Sequence, residues 1–413
     1  NRIYDRATFD LTFDCPDYYE VISGGKNIGS INENGRSISR WRTPSPVSFV
    51  SFNVGRFDEK TITAAGITPV KVFLSQNIPH TELALLFSEY GISSIADMMG
   101  TVGADVANSL VFFSSLFGPC PFDTIRVTEI PMGHAQGPPG LLHLSWTTFQ
   151  NESMSGSDVV FRAHEAAHQW WGSVVNNESY HDTWITEGLA EYCGYWFLEM
   201  STKDKEKCRF LWGRQQQIIF SGTGALSVGN QAGPIILGPR LTSSKSDDYA
   251  PIVYYKGAYI FHMIRYLLHD YKTASDDAFA AFLKDLATKY KGRTITTSGL
   301  QKLLEEHTGQ DMSWFFNQWV YSTDIPEYTF SSKTEQESDG KYLVTCHIKQ
   351  EKVSPDFKML VPLTVLFADD KFVHIPVWID RPEKDINLPL LPYKPKKIVF
   401  NTYDAVLCKV KYR

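Results

Sequence analysis

Two histidines four residues apart constrain this chain more than any other feature. They stand in His164-Glu165-Ala166-Ala167-His168, at the head of H-E-A-A-H-Q-W-W-G-S-V-V-N-N-E-S-Y-H-D-T-W-I-T-E, which ends at Glu187. In an α-helix, residues four apart lie about 40° apart round the axis and about 6 Å along it, so both imidazoles can reach one zinc ion. Glu165, about 100° further round, flanks such an ion and can take a proton from water there. A third ligand is needed, and Glu187 is the candidate, with eighteen residues between it and His168. The motif implies a zinc hydrolase acting on peptides.

The bare pattern would arise by chance in roughly 1–2% of chains with 11 histidines in 413 residues, so its setting has to carry the argument. Ser157 and Asp158 offer an N-cap before Val159, Val160 and Phe161, which predicts a helix with the histidines in its second turn. Gly172 and Asn176-Asn177 offer stops. Asp182 or Thr183 then caps a second helix running to Met200, with Glu187 in its first turn.

A chain of 413 residues has room for two to four domains, each with its own core. Its net charge is −6, and no basic run points to nucleic acid or to an anionic membrane as partner. No apolar stretch approaches the roughly 18 residues of a membrane span. The chain starts at Asn1 with no signal-like segment, as a processed or trimmed product would, so it carries no readable address. The six cysteines (Cys15, Cys120, Cys193, Cys208, Cys346, Cys408) are scattered with no C-x-x-C pair, which favours free structural thiols over a disulfide framework or a second metal site. Asn151-Glu152-Ser153 and Asn177-Glu178-Ser179 match the glycosylation sequon, a pattern too common to define a compartment.

The chain reads as α+β and multidomain. Residues 1–75 form an N-terminal β region, the end of a larger β domain: Phe9, Leu11 and Phe13 alternate with polar residues, and Val47–Val54 and Val70–Leu74 are further strands. Gly24-Gly25 and Asn32–Gly35 supply turns. Residues 76–325 are mainly helical. Leu83, Leu86, Phe87 and Tyr90 fit one helix and Val106–Phe117 another; strands at Ile125–Ile130 and Leu141–Trp146 precede the two motif helices. Helices follow at Pro251–Tyr271, Asp276–Tyr290, Thr297–Thr308 and Ser313–Val320. Residues 326–413 return to alternation (Tyr342, Val344, Cys346, Ile348; Val373, Ile375, Val377, Ile379), the pattern of a small β-sandwich.

With Trp184-Ile185-Thr186-Glu187-Gly188 beside the histidines, the sequence resembles the gluzincin zinc aminopeptidases of the aminopeptidase N family, whose motif is H-E-x-x-H, eighteen residues, then Glu within W-L-x-E-G. Tyr254-Tyr255-Lys256-Gly257 matches the family's Y-x-K-G element, and Trp314–Trp319 looks like its late aromatic stretch. The resemblance covers nearly the whole chain and implies a thermolysin-like catalytic domain followed by a β-sandwich. It implies one Zn²⁺ on His164, His168 and Glu187, Glu165 as general base, and Tyr254 as the phenol that stabilises the oxyanion. Tyr255 stays structural. Glu191, four residues after Glu187 on the same helix face, either accepts a hydrogen bond from a ligand histidine or is a solvated helix glutamate. One position departs from the family. Its G-x-M-E-N strand carries a glutamate that binds the substrate's free α-amine, and the aligned stretch His134–Leu141 has Gly137 there. Glu129 and Glu152 are other carboxylates nearby, and the sequence assigns neither of them to that role.

The remaining polar residues take structural readings: His134 and His143 on the segment before the motif, His181 and Asp182 in the turn before the second helix, and Arg240 at the surface. Trp170-Trp171 and Phe315-Phe316 read as core. Three functions compete. The first is a zinc-dependent aminopeptidase acting on short peptides; the second is an endopeptidase or other gluzincin hydrolase, favoured by Gly137. The third is a catalytically silent scaffold for protein binding, disfavoured by an intact set of ligands, base and tyrosine.

Overall fold

The computed structural model describes residues 5–76, 95–131, 134–149, 155–243 and 246–413. The helix expected around Leu83–Tyr90, the Asn151 sequon and Glu152 lie outside them. N-terminal strands, a helical middle and C-terminal strands follow one another along the chain. By Cα proximity it divides into two compact units: Asn1–Leu211 with Leu283–Thr296, and Trp212–Phe282 with Thr297–Arg413.

In the first unit, strands Asp10–Pro16, Arg36–Arg42 and Lys26–Glu33 form an antiparallel sheet with Arg36–Arg42 in the middle. Asn34 and Gly35, both at positive φ (54° and 75°), make the two-residue hairpin turn, a conformation that the Asn-Gly pair favours. The strand expected over Val47–Val54 is shorter. Val47 makes only a bridge to Ala7, and Phe52–Gly55 pairs with Glu20–Ser23. Pro44 and Pro46, which have no N–H for a ladder, precede it.

A second sheet runs in the order Phe57–Ile62, Val70–Ser75, Ile125–Ile130, Leu141–Ser145, antiparallel for the first pair and parallel for the others. Parallel pairing of Val70–Ser75 with Ile125–Ile130 needs a crossover, which includes helix Ile95–Phe117. Val102, Val106, Leu110, Phe113 and Phe117 recur every three or four residues and are all buried, so one stripe of this helix faces the core. A Cβ at Gly103 would come within 2.6 Å of Ile62, so glycine there allows the helix its close approach. Every residue of Leu141–Ser145 is buried, and this strand leads into the motif helices.

The second unit carries helices Gly257–Leu268, Thr297–Thr308 and Ser313–Trp319, and beyond Pro326 it is β. Glu327–Gln336 and Tyr342–Glu351 pair centrally in a four-stranded sheet, flanked by Lys409–Tyr412 and Glu383–Asn387. Met359–Leu366 centres a three-stranded sheet between Phe372–Ile379 and Lys397–Phe400. Phe400 of the smaller sheet meets Tyr328 and Phe330 of the larger one, with ring centroids 5.2 and 5.0 Å apart. This is the sandwich core expected from the alternating patterns. Phe315 and Phe316, like Trp170 and Trp171, are buried. Among the described residues no helix is long and apolar enough to cross a membrane.

Candidate metal centre

The first motif helix spans Ser157–Ala167, and its start differs from the expected Ser157/Asp158 cap. Gly156, at φ 79°, is the N-cap, with no side-chain cap bond. Asp158 is used otherwise, in a 3.4 Å ion pair with Arg162 one turn on. Because the helix starts earlier, His164 falls in its third turn rather than its second. The helix also ends sooner: His168 is its C-cap, still in right-handed helical geometry with its N–H on the His164 carbonyl. The next turns tighten, with Gln169 N–H on Ala166 O and Trp170 N–H on Ala167 O.

Burial fixes this helix. Arg162 has no exposed surface; it pairs with Asp105 of the long helix at 2.6 Å and donates to the Thr148 hydroxyl and carbonyl at 3.0 and 2.6 Å. Removing one partner of such a buried pair generally costs about 3–5 kcal/mol, so the link is a strong constraint on the helix's rotation. The second motif helix, Thr183–Thr202, crosses close by, where a Cβ on Gly194 would stand 2.6 Å from the Val160 carbonyl. Asp182 occupies its N-cap position without a side-chain cap bond and accepts the Ser179 hydroxyl instead, at 2.7 Å. Glu187 is therefore the fifth residue of the helix, in its second turn.

The link between the helices is held in place. Strand Val175–Asn177 pairs in parallel with Arg293–Ile295, and Glu178 N–H bonds to the Ile295 carbonyl. Asn177 is buried, and its amide donates to Ser179 O (2.9 Å) and the Thr183 hydroxyl (3.1 Å). The second sequon thus presents an engaged, enclosed side chain.

These constraints bring His164, His168 and Glu187 together, with one ligating atom from each lying within 4.8 Å of the others. His164 Nε2 and His168 Nε2 are 3.1 Å apart, and Glu187 Oε2 lies 3.4 Å from the second and 3.8 Å from the first. Tetrahedral ligands at about 2.0–2.1 Å from zinc stand roughly 3.3 Å from one another, so the trio is spaced for such an ion. Both rings also have their other nitrogen occupied. His164 Nδ1–H donates to Glu191 Oε2 and His168 Nδ1–H to the Trp171 carbonyl, each at 2.8 Å. That selects the tautomer whose Nε2 lone pair faces the gap.

The electrostatics favour a cation as well. Burial works against an imidazolium at His168, but the Glu187 carboxylate, followed by Glu165 and the Trp171 carbonyl, outweighs it and lifts the pKa to about 9. A site that pulls a proton this strongly suits a divalent cation, which needs the same lone pair. Two imidazoles and a carboxylate, with protein on only part of the coordination sphere, are a donor set for zinc with a position left for water or substrate.

Glu165 is buried beside them, and burial pushes its carboxyl pKa up against the opposing pull of His164 and His168. Its Oε2 has no hydrogen-bond partner among the described residues. A carboxylate kept basic and unengaged next to a metal site is equipped to take a proton. Glu191 is placed by its bond to His164. Glu191→Ala should weaken zinc binding about 10–100-fold, measured by competition with a chromogenic chelator, because the ring loses the acceptor that orients it. Unchanged affinity would make Glu191 an ordinary helix residue.

Gly137 packs onto the same helix. A Cβ there would meet the Glu165 carbonyl at 2.6 Å, His168 Cβ at 2.7 Å and Glu165 Oε2 at 3.3 Å. Sequence reasoning missed the residue that holds this loop, Gln169. Its Oε1 accepts Gly140 N–H at 2.9 Å, and its amide donates to Pro138 O and Gly137 O at 3.2 and 3.3 Å. The only sign of it in the sequence is a polar residue between His168 and two core tryptophans.

The other candidates separate. His143 is buried, bonded to the Ser51 and Thr128 hydroxyls at 2.8 Å each, and burial together with His134 lowers its pKa to about 4. Glu129 is buried and accepts Ser75 N–H at 3.0 Å, and His134 and Arg240 are exposed. Tyr254 belongs to the second unit, half-buried on the helical turn Ala250–Lys256, its ring edge-on to Tyr249 at 5.7 Å.

Residues 142–319 match the family described as the Peptidase family M1 domain. Glutamyl aminopeptidase of Sus scrofa is 24% identical over 333 residues, 78% of this chain and 32% of that protein. Aminopeptidase N of Lactococcus lactis subsp. lactis is 29% identical over 177 residues, 40% of this chain and 18% of that protein. The chain spans about a third of the length of several curated relatives that it matches. The crystal structure of Legionella pneumophila aminopeptidase A in complex with aspartic acid shares the fold. Its TM-score is 0.68 at 15% identity, covering 99% of this chain and 45% of that one.

Proposed function

We propose that the chain is a zinc-dependent peptidase of the M1 gluzincin aminopeptidase family and hydrolyses peptide bonds in an aminopeptidase-type reaction on short peptides. The observation that carries this reading is the convergence of His164 Nε2, His168 Nε2 and a Glu187 carboxylate oxygen, with the Glu165 carboxylate alongside, its Oε2 without a hydrogen-bond partner among the described residues. In this reading His164, His168 and Glu187 hold one Zn²⁺, and Glu191 and the Trp171 carbonyl orient the two rings. Zinc bound there would polarise the scissile carbonyl and make water a nucleophile near neutral pH. Glu165 takes the proton from the attacking water and passes it to the leaving amine. Tyr254 donates its phenol hydrogen to the oxyanion that develops on the carbonyl. The functional layout keeps the N-terminal β region to about residue 75, the catalytic region to 325 and the β-sandwich from 326.

Endopeptidase action is the second reading, and Gly137 favours it. In the family pattern this position supplies the glutamate that holds a free α-amine. Here there is no side chain, and the clash of any Cβ with the Glu165 carbonyl means that a glutamate needs a different backbone path. Aminoacyl anilides and N-acetylated peptides, each assayed with and without chelator, decide between the readings. We expect chelator-sensitive release from free-amine substrates alone. Cleavage of both kinds would make the enzyme an endopeptidase, and no hydrolysis despite bound zinc would leave the silent scaffold.

A further inference from the structure

The turn that carries Tyr254 is not α-helical. Ala250–Lys256 form a π-helix, closed by Gly257 N–H on the Ile252 carbonyl five residues back, before the α-helix Gly257–Leu268 begins. Such turns are rare and are frequently found at functional sites. Local sequence does not demand one: Pro251 stands at the start of the turn, where its missing N–H is tolerated, and the residues after it can enter an α-helix. The constraint comes from outside, through three buried polar side chains.

Asp248, just before the turn, is fully buried. Its carboxylate accepts Gly229 N–H at 2.8 Å, Val228 N–H at 3.0 Å and the Ser227 hydroxyl, while its carbonyl accepts Ile252 N–H at 3.1 Å. Asn230, on the same loop and also buried, donates its amide to the Thr323 carbonyl at 2.6 Å. Lys256 ends the turn, fully buried, and donates Nζ to the Ser322 carbonyl at 3.2 Å. The links close a ring: one end of the π-turn is tied to 227–229, the other to Ser322, and Asn230 joins those two segments.

Lys256 is the informative member. Ser322 O is its one hydrogen-bond partner among the described residues, and burial, partly offset by the charge of Asp324, lowers its pKa to about 7. Burying an amine with so few partners is costly, and a methionine would fill similar space without that cost. What the lysine adds is a directed bond from the end of the turn to a distant backbone carbonyl.

We propose that Lys256, with Asn230 and Asp248, is a positioning residue: the ring holds the π-turn and so aims the Tyr254 phenol. The inference rests on the reading of Tyr254 as the oxyanion donor. It is tested in the full chain with Lys256→Met and the milder Asn230→Ala, each alone and combined with Tyr254→Phe. The readouts are bound zinc, kcat, KM and calorimetric affinity for a phosphinate peptide analogue, a tetrahedral anion like the attacked carbonyl.

Each single variant should lower kcat about 10–100-fold and weaken phosphinate binding comparably, with zinc content and KM nearly unchanged. On the Tyr254→Phe background neither should lower them further, since the group they position is gone. Equal losses on both backgrounds, or a loss of thermal stability alone, would overturn the positioning role. If Lys256→Met does not fold, Asn230→Ala carries the same test. A fully active Tyr254→Phe that also binds phosphinate normally would overturn the reading of Tyr254, and the inference with it. An impaired Tyr254→Phe beside a normal Lys256→Met would overturn the positioning role alone.

Discussion

Glu165→Gln is expected to keep one zinc ion per chain and to lose hydrolysis by about 10²–10⁴-fold, the usual contribution of a general base. The substitution is nearly isosteric. The ligating atoms of His164, His168 and Glu187 belong to other side chains, and both imidazoles keep their Nδ1 partners, Glu191 and the Trp171 carbonyl. What disappears is a buried carboxylate whose pKa is pushed up by burial and whose Oε2 engages nothing among the described residues. An amide there cannot accept the proton of the attacking water. Metal content by mass spectrometry and turnover on the peptide substrates check this together. A variant that keeps both zinc and wild-type turnover would remove Glu165 from the reaction.

Tyr254→Phe should cost about 10²–10³ in kcat, the typical loss when one oxyanion donor is removed, with KM and bound zinc little changed. The split matters because the phenol's work falls in the transition state: a donor to the oxyanion is worth little before the carbonyl is attacked. A raised KM with kcat intact would instead assign Tyr254 to substrate binding. Among the 20 tyrosines, sequence alone does not single this one out. The Y-x-K-G match does, and the π-turn beneath it is the structural feature that goes with a special role.

What was legible in the sequence was local or carried by strict spacing. Asn32–Gly35 was legible as a turn, and the structure makes it a hairpin at Asn34-Gly35, a pair that accepts two positive φ values in succession. The histidines were legible because four residues is a helical repeat, whereas the spacing of Glu191 from Glu187 left a bond to a ligand histidine and a solvated glutamate equally open until the structure placed it on His164. The two sheets beyond Pro326 followed from alternation at Val344, Cys346 and Ile348, all buried. Features set by distant partners were not legible. The first motif helix ends at Ala167 because the chain then tightens and folds back, with Val175 N–H on Trp170 O and Gly172 N–H on Val175 O. Gly137 could be read as a missing glutamate, but its fit against the Glu165 carbonyl is a fact of three dimensions. The π-turn depends on residues near 230 and 322, far from it in sequence.

The central claim is that His164, His168 and Glu187 hold one zinc ion, and X-ray absorption at the zinc edge of the purified protein tests it most directly. The account predicts a first shell of nitrogen and oxygen only, at about 2.0–2.2 Å, with outer scattering from two imidazoles. That pattern should vanish in Glu187→Ala at matched zinc concentration. A sulfur shell near about 2.3 Å, or an unchanged spectrum in Glu187→Ala, would place the metal elsewhere and contradict it.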